Sequence, residues 1–225
     1  MRARARTLVS IVPLVLSALS GCYVSPQSGQ LMQRSADARQ LYRESDFGLS
    51  HLERDGVTSL ATRLRFGDET LGQALRQGLV DTLEARLDDG LVHPNLAASQ
   101  INEAGLSRSY AEMLAAYDET HILDRDALHT ISQAVGVRYC ALPILVNFRE
   151  TTSTRFSALG LRLGKTTSAS ARIQLQIWDG RSGRIVWDGF ADLTLAQETF
   201  REGPIVFGDT VRATWESLID QIPQS

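Results

Sequence analysis

Two runs of alternating apolar and polar residues near the carboxyl terminus give the clearest pattern in the chain. In residues 169–178, alanine, isoleucine and leucine occupy the odd positions and polar residues most of the even ones. After a turn that contains Gly180 and Gly183, residues 185–195 alternate again. Alternation with a period of two is typical of a strand with one buried face. Two such runs around a glycine-rich turn predict an antiparallel hairpin.

Helical patterns lie before and after this hairpin. Leucine recurs every four residues over 71–87, which predicts an amphipathic helix. Residues 97–117 are helical in character, with a break expected near Gly105. A further helix is expected to begin after its N-cap Asp124 and to end at Gly136, and an apolar stripe over 211–222 predicts the last helix.

Further apolar runs predict the remaining strands. Residues 57–66 and 137–148 are expected to form strands, and 91–94 a short strand or turn. Pro143 lacks an amide hydrogen and therefore suggests a bulge or an edge contact. The order of elements predicts an α/β (α+β) fold, in which helices cover a mixed β-sheet that ends in an antiparallel hairpin.

The amino terminus has the three parts of a secretory signal. Three arginines in the first six residues precede an apolar run over 8–19, which ends at Leu19-Ser20-Gly21-Cys22. A membrane-spanning helix needs about 20 apolar residues, so this run is too short to span. The pattern predicts a signal peptide over residues 1–21. The alternatives are an ordinary secretion signal with an incidental cysteine, or a buried N-terminal helix.

Leu19-Ser20-Gly21-Cys22 resembles the lipobox of bacterial lipoproteins. The resemblance implies that Cys22 is lipidated and becomes the first residue of the mature chain. It also implies that the acyl chains, palmitate among them, anchor the protein to the membrane. Tyr23 stands where an aspartate would retain a lipoprotein in the inner membrane, so the expected location is the outer membrane, facing the periplasm.

Composition divides the rest of the chain into a tether and a domain. Residues 22–50 are polar, with serine, glutamine, glycine and proline early on, and predict a lipidated N-terminus followed by a flexible tether. A short helix over 30–42 is the alternative within that tether. Residues 51–225 are expected to form one domain.

Charge and motifs argue against several classes of function. Loss of the three arginines in residues 1–21 leaves 20 basic side chains against 26 acidic ones, so we expect no nucleic-acid partner. The chain contains no HExxH, paired CxxC or Gly-x-Ser-x-Gly motif. Gly164-Lys165-Thr166 lacks the first glycine of a phosphate loop, because Leu159 occupies that position. We therefore predict no catalytic residues, metal or cofactor, and expect Cys140 to be a buried, inert thiol.

A candidate interaction surface comprises Phe156, Leu159, Leu161 and Trp178. The first three lie in the threonine- and serine-rich stretch 151–170, which predicts either a partly ordered connection or hairpin that folds onto the domain, or a surface that inserts into a partner or membrane. Trp178 has the opposite parity to the apolar residues of its strand. It is therefore expected to be exposed or to pack beneath a helix.

Residues 173–179 and 182–187 resemble a motif of bacterial lipoproteins with the TolB N-terminal-domain-like fold, a group that includes CsgG, LpoB and PelC. Gly136-Val137-Arg138-Tyr139 looks like the Gly-x-Arg-Tyr sequence that begins a central strand in this group. The resemblance covers roughly residues 56–223.

This resemblance implies a non-enzymatic role, because members of the group bind or assemble rather than catalyse. The expected function is a binding or assembly module for envelope transport or export components, with an envelope protein as its partner. The alternative is a homo-oligomeric ring or secretion-channel subunit of the outer membrane, in which the segment 156–163 enters the membrane. A hydrolytic enzyme is the third hypothesis.

Overall fold

We analysed a computed structural model of the chain, which describes residues 31–65, 69–156, 162–199 and 207–224. The strands are β1 (Leu31–Arg43), β2 (Val57–Ser59), β3 (Arg63–Leu64), β4 (Leu91–Val92), β5 (Tyr139–Phe156), β6 (Arg162–Asp179) and β7 (Arg184–Thr199). The helices are α1 (Leu49–Asp55), α2 (Glu69–Arg86), α3 (Pro94–Glu103), α4 (Ser107–Thr120), α5 (Arg125–Val135) and α6 (Phe207–Ile219).

The described strands form one mixed sheet. Its order is β1-β7-β6-β5-β2-β4, and β3 pairs with β5 beside β2. β2 is parallel to both β4 and β5, whereas β5, β6, β7 and β1 are joined by antiparallel ladders. This arrangement confirms the predicted α/β class and the C-terminal antiparallel hairpin.

Helices cover both faces of the part of the sheet near β2. On one face, which we call core 1, α1, α2 and α6 pack against the sheet around Trp187 and Trp215, both fully buried. On the other face, core 2, the helices α3, α4 and α5 pack around Leu128, Ile131 and Trp178. The sheet is therefore the middle layer of three at this end.

The predicted helix boundaries in core 2 follow from local chemistry. The Asp124 side chain accepts a hydrogen bond from the Ala127 amide and caps α5. Gly136 ends the helix with φ 76°, a left-handed conformation that glycine adopts without steric cost. Gly105, with φ 69°, separates α3 from α4 at the predicted break.

The segment that we predicted as a tether contains regular structure. Residues 31–43 form β1, and Ala36 and Ala38 lie opposite Leu193 and Ala191 of β7. Neither a flexible tether nor a short helix is correct for these residues. Without β1, the backbone groups along one side of β7 would have no strand to pair with. That pairing joins segments about 150 residues apart, so the local sequence pattern does not reveal it.

Two strand predictions need smaller corrections. The expected strand over 57–66 is split into β2 and β3, with residues 60–62 between them. The Leu60 amide still donates to the Ala141 carbonyl of β5, and the Arg65 amide to the Leu145 carbonyl, so both parts stay beside β5. Pro143 pairs regularly with Leu175, and the irregularities of the β5–β6 ladder lie between Leu145 and Asn147 and between Arg155 and Phe156. In the part of the chain that the structure covers, no helix combines the length and the apolar composition required to cross a membrane.

Candidate protein-interaction surface

Three strands continue well beyond the helical layers. β5 and β6 are 18 residues long and β7 is 16, and the β5–β6 ladder runs from Tyr139–Asp179 to Phe156–Arg162. We call the outer part of the sheet, residues 147–156, 162–172, 192–199 and 31–37, the four-stranded extension; its innermost apolar residues, such as Ala171 and Leu193, still pack in core 1. Its ten residues of β5 span about 33 Å at the usual rise per residue. The stretch 151–170 is thus a hairpin rather than a loop over its described residues.

The extension has two open edges. β1 pairs with β7 on one side, and no described strand lies on its other side. β5 pairs with β2 and β3 only as far as Leu145, so from Val146 onwards its described neighbour is β6 alone. No described strand pairs with the outer side of β1 or of β5 beyond Leu145, and sheet edges of this kind can accept a strand from another chain.

The face of these strands opposite core 1 is polar and charged where its side chains are described. Arg172 makes a two-pronged ion pair with Asp192, with both nitrogen–oxygen distances 2.7 Å, and its guanidinium lies 4.7 Å from the centre of the Phe190 ring. The hydrogen bond from Arg172 lowers the pKa of Asp192. On the neighbouring strand, Arg39 pairs with Asp37 at 2.7 Å. This face is therefore suited to water or to a polar partner.

A polar network separates that face from core 2. The Tyr117 hydroxyl and the Trp178 indole N–H both donate to the Gln176 side-chain oxygen, at 2.9 and 3.2 Å. The Gln174 side chain donates to Asp188 at 2.8 Å. Burial raises the pKa of Asp188, and it raises the pKa of Tyr117 to about 12. These polar groups are hydrogen-bonded to one another at the edge of core 2, so the network has a structural role there.

Trp178 does not belong to an exposed surface. Its side chain is 3% exposed and packs edge-on against Tyr117, with 6.5 Å between the ring centroids. The opposite parity of Trp178 arises because the end of β6 is covered by helices on both faces, with Ile177 in core 1 and Trp178 in core 2. This tryptophan is therefore removed from the candidate interaction surface.

The other predicted site residues have different positions. Phe156 is the last residue of β5, and its backbone pairs with Arg162 at the end of the hairpin. Leu159 and Leu161 lie outside the described residues, as does Cys22. The sequence analysis did not predict the open strand edges, because which strand lies at an edge depends on the pairing order of distant segments.

The described residues present no evident catalytic centre. Among them, no group of three or more histidine, cysteine or acidic side chains is arranged to hold a metal ion. Cys140 is completely buried, and burial raises the pKa of its thiol to about 12. A thiol with this pKa is protonated at neutral pH, and the thiolate is the reactive form. The prediction of a buried cysteine is thereby confirmed.

The Gly-x-Arg-Tyr sequence has a structural role in this chain. Arg138 donates to Asp55 at the end of α1 and to Asp179 at the end of β6, at 3.1 and 2.9 Å. Tyr139 lies in core 1, and its ring is 5.4 Å from that of Phe47. Arg138 therefore fixes the junction of a helix and a strand beside the first residues of β5.

Comparison with known proteins gives distant structural neighbours. No family model and no curated protein sequence matches the chain. Among solved structures, the PelC dodecamer from Paraburkholderia phytofirmans is 13% identical with a TM-score of 0.44, and the match covers 83% of this chain and 94% of PelC. The lipoprotein GNA1162 from Neisseria meningitidis is 12% identical with a TM-score of 0.41, covering 72% of this chain and 96% of that one.

The LpoB C-terminal domain from Salmonella enterica is 15% identical with a TM-score of 0.39, and the match covers 67% of this chain and 86% of that domain. PelC and LpoB belong to the lipoprotein group that the hairpin sequence resembles, which agrees with the predicted resemblance. At these TM-scores the likeness assigns neither a partner nor an activity to the chain.

Proposed function

We propose that this chain is a non-enzymatic lipoprotein of the cell envelope, anchored through Cys22 to the periplasmic face of the outer membrane, that binds or assembles protein partners through the four-stranded extension. The observation that carries the proposal is the pair of open strand edges on the extension. An added strand gains main-chain hydrogen bonds along such an edge, and this mode of recognition is common in peptide and subunit binding.

The composition of the extension favours a partner in water over insertion into lipid. In the outer hairpin, residues 149–156 and 162–168, the only large apolar residues are Phe156 and Leu163. Strands that face lipid carry an apolar residue at every second position. The hairpin instead consists mainly of threonine, serine and charged residues, so we place it in the periplasm.

A ring of identical copies is the second candidate, and the strand directions favour it. The extension contains four antiparallel strands, so its two edge strands, β1 and β5, run in opposite directions. Rotation about a common axis would bring β1 of one copy beside β5 of the next as an antiparallel pair. Such a head-to-tail contact uses two different surfaces and closes into a ring when the rotation permits.

Crosslinking between the edges tests this proposal. Ser35 on β1 and Arg149 on β5 lie at the same level of the sheet, through the pairs Ser35–Thr194, Thr194–Ser170 and Ser170–Arg149, and both are exposed. We expect the lipidated chain with Ser35→Cys and Arg149→Cys to be crosslinked in cells by a short bismaleimide. The buried Cys140 thiol should contribute little background.

The products distinguish the two candidates. A ladder of multiples of the chain, together with a large discrete particle after detergent extraction, supports the ring. Crosslinks to a different protein support the binding module. The control pairs Ser35→Cys with Ser99→Cys, which is exposed on α3 and lies outside the four-stranded extension. If the edge pair gives no more crosslinked product than this control, the extension is not the interaction surface.

The lipid anchor is tested separately by Cys22→Ser. Acyl chains are stable anchors because each buried methylene contributes about 0.8 kcal/mol. Without them we expect more than about nine-tenths of the protein to move from the membrane pellet to the soluble periplasmic fraction. Fractionation followed by immunoblotting measures the distribution, with Cys140→Ser as the matched control that should remain in the membrane. Tight membrane association of the Cys22→Ser protein would contradict the proposed anchor.

A further inference from the structure

A second region of interest lies where the parallel strands β2 and β4 end. After β2 the chain forms β3 and then α2, whose leucines pack in core 1. It leaves the neighbouring strand β4 through α3, which packs in core 2. Adjacent parallel strands whose connections depart to opposite faces form a topological switch point, and a crevice opens there outside the carboxyl ends of the strands.

The crevice in this molecule is an apolar cavity of about 230 Å³. Leu60, Ala97, Ile101 and Ile131 line it, and each of these side chains is less than 7% exposed. The polar side chains of β2 nearby have partners, because the Thr58 hydroxyl donates to the Val92 carbonyl at 2.9 Å and the Ser59 hydroxyl to the Leu60 carbonyl at 3.1 Å. The interior therefore suits an apolar group.

Besides the hydroxyls of Thr58, Ser59 and Ser107, which donate to neighbouring protein oxygens, two further hydrogen-bond donors line the cavity. Arg76 of α2 makes no ion pair or hydrogen bond with any residue that the structure describes. The Tyr110 hydroxyl accepts a hydrogen bond from the Ala61 amide at 2.8 Å, which fixes its position. Among the described residues no acceptor takes the Tyr110 hydroxyl proton, so this proton can be donated to a ligand in the cavity. Burial raises the pKa of Tyr110, and the nearby Arg76 charge opposes that rise.

We propose that this cavity binds a small amphipathic carboxylic acid, with its apolar body against Leu60, Ile101 and Ile131 and its carboxylate at Arg76 and Tyr110. An arginine and a hydroxyl are a suitable pair of donors for a carboxylate oxygen, and hydrogen bonds to charged groups are the stronger ones. A cavity of 150 Å³ holds benzene, so 230 Å³ corresponds to about nine non-hydrogen atoms. A medium-chain fatty acid is of this size. The site is independent of the proposed assembly role.

Octanoate is the probe, and octan-1-ol is its uncharged match. We expect octanoate to shift the methyl NMR signals of Ile101 and Ile131 saturably in the full mature chain with Cys22→Ser, while Ile222 in core 1 is unaffected. Octan-1-ol should bind about tenfold more weakly, because it lacks the charge that Arg76 recognises.

Variants at the cavity give the decisive comparison. Arg76→Gln should weaken octanoate binding about tenfold and leave octan-1-ol binding unchanged. Arg86→Gln on the same helix, whose partner is Asp220, should change neither. Ala98→Phe, at an exposed position of the cavity wall, should weaken both ligands. The proposal is overturned if octanoate causes no saturable shift at these methyl groups, or if Arg76→Gln weakens both ligands equally.

Discussion

Replacement of Arg138 by methionine is expected to lower the free energy of unfolding by about 3 kcal/mol at neutral pH. The Arg138 guanidinium joins Asp55 and Asp179, and only 6% of the Asp179 side chain is exposed. Methionine keeps much of the apolar stem but leaves that carboxylate without its charged partner. Loss of one member of a buried ion pair is costly because the remaining charge stays desolvated.

The pKa values of these groups point the same way. Burial alone would raise the pKa of Asp179, but hydrogen bonds from Arg138 and from the Arg181 amide outweigh it, so the pKa lies below its usual value. Burial alone would also raise the pKa of Asp55. Hydrogen bonds from Arg54 and Arg138 outweigh this effect, so its pKa is lowered. Arg138 in turn has a raised pKa, chiefly because it donates to Asp179.

The effect of Arg138→Met should therefore depend on pH. A carboxylate with a lowered pKa stabilises the fold above its unfolded pKa of about 3.9, and that contribution is lost as the pH falls through the folded pKa. The difference in unfolding free energy between the parent and Arg138→Met should be largest near neutral pH and shrink below about pH 4. Urea unfolding of the Cys22→Ser chain across this range measures it.

Arg172→Met is the matched control for this prediction. Arg172 makes a two-pronged pair with Asp192 at 2.7 Å, but both side chains are more than 40% exposed. Solvent screens such a pair, so we expect a loss of less than about 1 kcal/mol. Equal losses for the two arginine variants would contradict the role assigned to Arg138.

Replacement of Gly90 by alanine is the second change with a large expected effect. Gly90 precedes β4, and its carbonyl accepts a hydrogen bond from the Val57 amide at 2.8 Å. A methyl group at Gly90 would lie 2.5 Å from the Leu52 carbonyl oxygen and 2.6 Å from the Glu53 Cα atom. These are backbone atoms of α1, so no side-chain rotation relieves the collision. We expect a loss of about 3 kcal/mol, as for other overpacked sites.

Gly105→Ala separates this collision from conformational strain. Gly105 has φ 69°, and no atom lies within 4 Å of the position that its methyl group would take. The left-handed conformation alone costs an alanine about 1–2 kcal/mol. Urea unfolding of both variants in the Cys22→Ser chain should rank Gly90→Ala as the more destabilised. The reverse order would show that α1 moves away from Gly90 at little cost.

Local periodicity predicted most elements of the domain correctly. The leucines of α2, the Asp124 cap and Gly136 terminus of α5, and the alternating runs of β6 and β7 all encode their conformation within a few neighbouring residues. Such signals depend on side chains three or four positions apart along a helix, or two apart along a strand. A sequence pattern detects them because both partners lie in the same short window.

The wrong prediction for β1 and the open alternative for Trp178 both concern contacts between distant segments. Residues 31–43 have a polar sequence that suggests a tether, yet their backbone completes the edge of β7. Trp178 was predicted either to be exposed or to pack beneath a helix, and the structure shows the second, with α4 covering it. In both cases the deciding partner lies about 60 or more residues away, and neither segment carries a local sign of it.

The sequence by itself determined the class of fold, the extent of α2 and α5, and the buried setting of Cys140, since each depends on short-range patterns. Only the tertiary structure decided where β1 lies, which strand edges are open and where the cavity forms at the switch point beside Arg76. These features arise from the order in which strands pair and the faces to which helices cross. Free energy gained from long-range packing sets that order, and it is not encoded in any single segment.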